Sequence, residues 1–239
     1  MDEKPILFNT DMVKAILLEK KTCTRRAIKP QPRNGQSIVK DDGTFRYQGA
    51  GDCRPPYQTG DILYVRETWR VRDCVGDYVN GTKGAEIEYR AGGDNHIIYP
   101  ADPNFNKWSQ GTKWRPSIHM PKEAARLFLR VTNIRVERLQ DMTEENVFAE
   151  GYEDHEPQCY HLVYENYPDS PIPCFAASSS ECPLDPPCDH SIPELFGAEV
   201  WNATIKKADR ARYGWNANPW VWVIEFERIG REEAMEDKQ

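Results

Sequence analysis

The densest group of reactive side chains is the string KKTCTRR at residues 20–26, in which four cations surround two hydroxyls and a thiol. A hydroxyl becomes a useful nucleophile only beside a base, and a lysine can be that base where burial and like charge favour its neutral form. Arginines in the same string can bind phosphate or stabilise an oxyanion. The residue types therefore allow three interpretations: a phosphate-binding patch, a corner of an active site, or the polar end of a helix.

The flanking sequence predicts the elements that position this string. Residues 5–9 are typical of a short buried strand, and a helix follows in which Asn9 or Thr10 is the N-cap. Apolar side chains at helical spacing give this helix one buried face, and Lys20 and Lys21 are predicted to end it. The string then begins at a helix C-terminus and continues into extended chain.

Alternating apolar residues predict further strands, and capping residues predict two further helices. The predicted strands are at 60–69, 85–91, 127–139 and 220–229, with a bulge or break between Val131 and Ile134, and the predicted helices are at 142–152 and 194–208. Few helices among locally connected strands indicate an α+β fold, a small mixed β-barrel with flanking helices. We expect a single domain over residues 1–239, with two loop-rich insertions at about 72–113 and 152–193.

Four motifs in order resemble the ASCH domains of the PUA-like superfamily, in particular the large phage and prophage members. The motifs are KKTCTRR after the first helix, TGDILYVRETW on a strand, LQDMTEENVFAEGY around the acidic helix and WVWVIEF on the last strand. The resemblance covers roughly residues 4–70, 114–151 and 195–229. It implies a PUA-like barrel whose cleft accepts a nucleoside or a nucleic-acid end.

One branch of this family consists of small amidohydrolases that remove the acetyl group from N4-acetylcytidine, and its catalytic residues map onto Lys21, Thr24 and Glu150. The resemblance thus implies that Thr24 is a nucleophile activated by Lys21, and that Glu150 protonates the leaving amine. Lys21 and Thr24 are three residues apart and can meet across one turn or a tight bend. Arg25 and Arg26 remain as anion or substrate partners, and this chemistry requires no cofactor.

Other interpretations of these residues stay open. Lys21 and Arg25 can complement a helix C-terminus while Glu150 forms a structural salt bridge. The cleft can also bind RNA or single-stranded nucleic acid without catalysis, with cations on phosphates and aromatic rings on bases. A further class is a phage accessory protein that binds a host protein through the insertions.

The segments RETW and SIHMP supply four more candidates for the cleft. Trp69 can stack on a base, Glu67 can accept a hydrogen bond from an exocyclic amine, and Arg66 precedes them. His119 lies between extended segments and can line the same cleft. The alternatives are core packing for Trp69 and a structural role for His119.

Seven cysteines, four of them within residues 159–188, form a second candidate site. A structural zinc would use Cys174, Cys182, Cys188 and His190, with Cys159 as a substitute, although the short spacing of a zinc knuckle is missing. A Pro-rich segment with few core-forming residues often needs a metal or a crosslink for order. The alternative is a flexible insertion with free thiols.

Bulk composition narrows the class of protein. The chain has 239 residues, 39% hydrophobic and 29% charged, with net charge −7. A mean hydropathy of −0.75 and the lack of a long apolar run favour a soluble protein with no membrane contact. No basic and apolar leader is visible, so we expect a cytoplasmic location in a bacterial host cell. Residues 20–33 carry six cations and no acid, which permits a local cationic site on an acidic body.

Overall fold

A computed structural model of the chain describes residues 3–33, 36–41, 44–49, 51–76, 83–98, 113–152 and 191–236. Its class is mixed α+β, as the sequence predicts. The strands in these ranges are β1 (Lys4–Leu7), β2 (Cys23–Ala27), β3 (Ile38–Asp41), β4 (Thr44–Tyr47), β5 (Ile62–Arg66), β6 (Trp69–Gly76), β7 (Lys83–Tyr89), β8 (His96–Ile98), β9 (Phe128–Arg138) and β10 (Trp220–Ile229). The α-helices are α1 (Thr10–Leu17), α2 (Glu144–Ala149), α3 (Ile192–Phe196), α4 (Asn202–Thr204), α5 (Arg210–Tyr213) and α6 (Arg231–Glu236).

The main sheet has five strands in the order β1-β5-β9-β10-β2. β1 runs parallel to β5, and the other neighbours are antiparallel. The β9–β10 register shifts where Glu225 pairs with Asn133 and Phe226 pairs with Val131, so Thr132 is the extra residue. The break predicted between Val131 and Ile134 is therefore a β-bulge.

The two edge strands of this sheet, β1 and β2, approach each other through side chains. Arg26 Nη2 donates to the Leu7 carbonyl at 2.8 Å. Lys21 Nζ and Arg26 Cζ lie 5.6 and 5.7 Å from the centroid of the Phe8 ring. Because no backbone ladder joins β1 to β2 within the described residues, closure into a PUA-like barrel stays a prediction.

The caps predicted for α1 and α2 form. Asn9 Oδ1 accepts from the Met12 amide at 2.8 Å, and Thr143 Oγ1 accepts from the Asn146 amide at 3.4 Å. Each cap satisfies an amide that the first turn of a helix leaves without a carbonyl partner. The helices on either side of the KKTCTRR string are thus fixed at their start by local sequence.

α1 ends earlier than the sequence predicts. Its last residue is Leu17, and Glu19 adopts a φ of 58°, which directs the chain out of the helix. The expectation that Lys20 and Lys21 end this helix is therefore wrong. Lys21 instead forms an isolated antiparallel bridge with Glu150, so its cation belongs to a long-range contact.

Both faces of the main sheet are buried. The first core cluster covers one face together with α1 and includes Phe8, Ile16 and Ile224. The second core cluster lies between the main sheet and the sheet β6-β7-β8 and includes Trp69. The third packs α2 and the segment after α3 on the main sheet and includes Val223. The residues of β2 face alternately the first and the third core cluster.

The two predicted insertions differ in how far the structure covers them. The strand predicted at 85–91 is confirmed as β7, and with β6 and β8 it forms an antiparallel sheet. The first insertion thus has more regular structure than predicted. In the second, residues 153–190 lie outside the described ranges. No helix among the described residues is long and apolar enough to cross a membrane.

Candidate active site

A buried ion pair between Lys21 and Glu150 is the centre of the site. Lys21 Nζ lies 2.5 Å from Glu150 Oε2 and donates to the Glu150 carbonyl at 2.9 Å. The two side chains are 0% and 3% exposed. Removing two charges from water costs several kcal/mol per ion, so such a pair needs further partners to be stable. The backbone aligns it, because the Thr22 amide donates to the Ala149 carbonyl at 2.9 Å.

Arg25 supplies a second cation to the same carboxylate. Its Nη1 lies 3.2 Å from Glu150 Oε1, and its Nε donates to Glu137 Oε1 at 2.8 Å. Its Nη2 donates to Asn146 Oδ1 at 2.9 Å. Burial opposes the charge of the guanidinium, but the two carboxylates prevail and raise the pKa of Arg25. The guanidinium of Arg25, predicted to bind an anion or substrate, is thus occupied by Glu150, Glu137 and Asn146.

Gly151 brings the end of α2 against α1. Its φ is +80°, a conformation that favours glycine. A Cβ added there would lie 2.5 Å from the Cβ of Ala15 and 2.9 Å from the Cβ of Lys21. Only glycine permits this approach, and the approach sets Glu150 on Lys21.

Thr24 and Arg26 face the opposite side of β2 from Arg25. Thr24 pairs with Ile224 of the first core cluster, whereas Arg25 pairs with Val223 of the third. Side chains alternate along a strand, so Arg26 shares the face of Thr24. Phe8 lies on that face too, between the cations of Lys21 and Arg26.

The hydroxyl of Thr24 and the guanidinium of Arg26 are the polar groups on this face of β2. Thr24 is 2% exposed, and its hydroxyl makes no hydrogen bond to any residue that the structure describes. Arg26 has no carboxylate partner in the same ranges, and burial lowers the pKa of its guanidinium. The hydroxyl of a buried threonine and a cation without a salt bridge to a described carboxylate thus lie two residues apart on one strand face.

Cys23 is not a nucleophile in this arrangement. It faces the same side as Arg25, whose Nη1 lies 3.6 Å from its sulfur. Burial, assisted by the charge of Glu150, raises the pKa of Cys23 to about 12. The thiol is therefore protonated at neutral pH, which leaves the hydroxyl of Thr24 as the nucleophile that the sequence predicts.

The second group of predicted site residues lies elsewhere. Trp69 is 1% exposed in the second core cluster, which agrees with the core-packing alternative. Glu67 forms a bidentate pair with Arg126 at 2.9 and 3.0 Å. No contact in the described residues joins either side chain to the Lys21–Glu150 pair.

The side chains of Arg66 and His119 make no hydrogen bond or ion pair with Lys21, Thr24 or Glu150 among the described residues. The Arg66 carbonyl accepts from the Phe8 amide at 3.2 Å, while its guanidinium donates to the carbonyl of Ile118. His119 is exposed in a 3₁₀ turn, Ser117–His119. Arg66 thus adjoins Phe8 through its backbone, and its side chain is directed towards the turn.

The predicted zinc ligands Cys159, Cys174, Cys182, Cys188 and His190 lie outside the described residues. Within the described ranges there is no group of three or more side chains that could hold a metal ion. The structural zinc therefore stays a prediction.

Sequence reasoning missed three side chains that shape the site. The ring of Phe8 contacts the cations of Lys21 and Arg26, and Glu137 and Asn146 accept hydrogen bonds from Arg25. Glu137 lies on the predicted strand β9 two residues after Arg135, so alternation places both on one face. Neither that spacing nor any other local pattern marks Glu137 or Phe8 as a partner of the cations in KKTCTRR.

No protein-family model matches the chain, and neither curated proteins nor solved structures give a significant match. The site is therefore argued from its own geometry. The ASCH resemblance stays an expectation that rests on four motifs.

Proposed function

We propose that the chain is an ASCH-type, PUA-like protein that hydrolyses the amide of an N-acylated nucleobase such as N4-acetylcytidine. One observation carries the proposal. The buried Lys21–Glu150 contact of 2.5 Å lies beside β2, on which the Thr24 hydroxyl makes no hydrogen bond to the described residues. A base, an acid and a nucleophile are the groups that acyl transfer to water requires.

The Lys21–Glu150 contact allows a balanced proton sequence. Moving one proton from the ammonium of Lys21 to Glu150 creates a neutral amine and a carboxylic acid. Thr24 Oγ1 then attacks the acyl carbon while its proton passes to Lys21. Glu150 protonates the exocyclic nitrogen as the C–N bond breaks, which restores the ion pair. Water hydrolyses the Thr24 ester, releases the acyl group as a carboxylic acid and regenerates the hydroxyl.

Arg26 fits the role of stabilising the oxyanion. Its cation is partly buried, and its contacts are with the Leu7 carbonyl and the Phe8 ring. It forms no salt bridge with a carboxylate of the described residues, and the more distant charge of Glu150 acts on it only through space. Preorganised donors of this kind contribute about 3–4 kcal/mol to such reactions. Arg25 differs, because Glu150 and Glu137 already occupy it.

The topology supports the barrel part of the proposal. The main sheet bends until its edge strands are within side-chain contact, through Arg26 and Leu7. The bulge at Thr132 adds bend and twist to β9. A five-stranded sheet bent in this way is the architecture expected of an incompletely closed small barrel.

The test is hydrolysis of N4-acetylcytidine, with cytidine release followed by mass spectrometry. Thr24→Val keeps the shape of the side chain and removes the hydroxyl, and we expect a loss of roughly 10³-fold or more. Thr44→Val, at an exposed position of β4, is the matched control and should turn over at the wild-type rate. Equal rates for the two variants would exclude Thr24 as the nucleophile.

A second candidate function is nucleic-acid binding without catalysis. It is favoured by the pairing of Glu150 with both Lys21 and Arg25, because a permanent salt bridge leaves no free base. Binding of N4-acetylcytidine without turnover, unchanged in Thr24→Val, would support this candidate. Binding of a host protein through the insertions is a third, and most of the second insertion lies outside the described residues.

A further inference from the structure

Six exposed cations lie at the end of the main sheet where β2 ends and β10 begins. We call them the basic surface: Lys29, Arg138, Lys206, Lys207, Arg210 and Arg212. The last four come from the short segment 206–212, whose one acid is Asp209. This segment was not singled out by any sequence motif and plays no part in the proposed chemistry.

Aromatic rings bring these cations together. Lys29 Nζ and Arg212 Cζ lie 4.9 and 5.5 Å from the centroid of the Tyr213 ring. Arg138 Cζ lies 4.9 Å from the Trp220 ring. Cation–π contacts of this length are attractive and hold the charges at defined positions.

Gln31 connects the chain segment of Lys29 to Trp220, whose ring Arg138 contacts. Its amide nitrogen donates to the carbonyls of Ile28 and Trp220, at 2.7 and 2.9 Å, and its oxygen accepts from the Trp220 amide at 2.8 Å. The chain that carries Lys29 is thus fixed beside the ring that carries Arg138. Contacts thus connect Lys29, Arg212 and Arg138, and Lys206, Lys207 and Arg210 belong to the segment that leads into Arg212.

The cations of the basic surface form no salt bridge within the described residues. None of the six forms an ion pair with a carboxylate in the part of the chain that the structure describes. Other surface cations do, for example Lys4 with Asp61 at 2.6 Å and Arg130 with Glu233 at 2.8 Å. On a chain of net charge −7, this concentrates a positive field at one end of the sheet.

The chemistry of the basic surface selects the kind of partner. None of the exposed large apolar side chains of the described residues belongs to it. Protein interfaces are depleted of charge at their centre, and stable binding to a membrane surface adds apolar side chains to charge, so a polyanion fits better than either. Tyr213 is nearly buried and Trp220 half-buried, and their rings are occupied by cations. The partner that suits the basic surface is therefore a molecule with several regularly spaced negative charges.

We propose that the basic surface binds the phosphate backbone of a polynucleotide. Arginine and lysine contacts to phosphate give affinity without base readout, which suits a surface that offers charge and few free ring faces. The inference does not depend on the chemistry of Thr24. If both proposals hold, the surface retains a polynucleotide near the site that acts on one of its bases.

The test measures binding of a labelled oligouridylate of about 20 nucleotides by fluorescence anisotropy across a salt series. The variant Lys29→Gln/Lys207→Gln/Arg212→Gln removes three cations of the basic surface. The control Lys40→Gln/Arg54→Gln/Arg72→Gln removes three exposed cations elsewhere. Each lost phosphate contact lowers the slope of log K against log salt by about 0.7 for a single strand, so we expect a drop of about 2. Affinity at about 0.1 M salt should fall tenfold or more, and the control should match the wild type.

Single-stranded DNA and duplex arms of the experiment identify which polynucleotide binds best. Failure to bind any of the three at low salt would overturn the proposal, as would an equal loss in both triple variants. Displacement by polyglutamate of matched charge as effectively as by RNA would also overturn it. Because the readout is binding, a failure of N4-acetylcytidine hydrolysis leaves this result intact.

Discussion

At the scale of single residues, Glu150 is the group on which the site depends. One carboxylate contacts two buried cations, with Lys21 on one oxygen and Arg25 on the other. Arg25 in turn contacts Glu137, and Arg135 connects Glu137 to Glu225, so the connected group contains three cations and three anions. A buried charge network is stable only when each member has its partner.

Replacing Glu150 with glutamine should destabilise the fold. Glu150→Gln removes the carboxylate from Lys21, whose side chain is 0% exposed, and removal of one partner of a buried pair costs about 3–5 kcal/mol of unfolding free energy. Urea denaturation followed by circular dichroism measures it. Glu144→Gln, an exposed change on the same helix, should cost no more than about 1 kcal/mol through the helix dipole. Similar costs for the two variants would show that the pair is not a buried network.

At the scale of elements, the site depends on how closely the ends of α1 and α2 approach. α2 ends at Ala149, and the next two residues are Glu150, which contacts Lys21, and Gly151, which packs on Ala15. The position of the acid is thus set by a backbone contact between two short helices. A change in that contact should alter stability and activity together.

Gly151→Ala tests this contact, and Gly92→Ala is its control. Both glycines have a φ of +80°, but a Cβ at position 92 would meet no heavy atom within 4 Å. The shared φ strain costs about 1–2 kcal/mol, and overpacking adds about 1–3 kcal/mol for Gly151→Ala alone. Thermal denaturation and N4-acetylcytidine hydrolysis should both be impaired more in Gly151→Ala. If the two variants behave alike, the packing of Gly151 on Ala15 is not what positions Glu150.

The elements were largely predictable from sequence, and their long-range partners were not. Asn9 and Thr143 mark helix starts by local hydrogen bonding, and the change of apolar phase near Thr132 marks the bulge. The sequence predicts the end of α1 too late, because Lys21 forms an ion pair with Glu150, a residue 129 positions away. Trp69 could have faced a cleft or the core, since alternation gives its face and not what covers that face. Contacts between distant segments leave no local pattern to recognise.

At the scale of the whole molecule, Arg126 links the two larger sheets. Its guanidinium pairs with Glu67, which follows β5 of the main sheet, and lies 4.0 Å from the ring of Tyr89 in β7. Burial raises the pKa of Glu67, while Arg126 opposes that shift. The contact between the two sheets through Arg126 therefore depends on the charge of the buried Glu67 carboxylate.

Arg126→Met should make the stability of the fold depend more steeply on pH. Without Arg126, burial raises the pKa of Glu67 further, so the folded chain binds a proton more readily than the unfolded chain. Stability is then present below the ordinary value of 4.5 and lost as pH rises through the folded pKa. We expect a loss of about 3–5 kcal/mol at pH 7 that shrinks towards pH 4.5. Urea denaturation across this range measures it.

Arg72→Met is the control for this prediction. Arg72 is 59% exposed and pairs with Glu86 on β7, within the sheet β6-β7-β8. Solvent screens such a pair, so its removal should cost less than about 1 kcal/mol and leave the pH profile unchanged. A loss in Arg126→Met that stays constant from pH 7 to 4.5 would indicate that Glu67 does not titrate in the folded chain.

The pairing of β2 with β10 has a consequence for the order in which the protein assembles. β2 is an edge strand, and its neighbour in the sheet is made about 200 residues later. At a synthesis rate of roughly 5–20 residues per second, the strand that carries Thr24 waits on the order of 10–40 s for that neighbour. Until then the nascent chain exposes a strand edge flanked by cations. The strand that carries Thr24 therefore gains its neighbour in the sheet only after β10 has been synthesised.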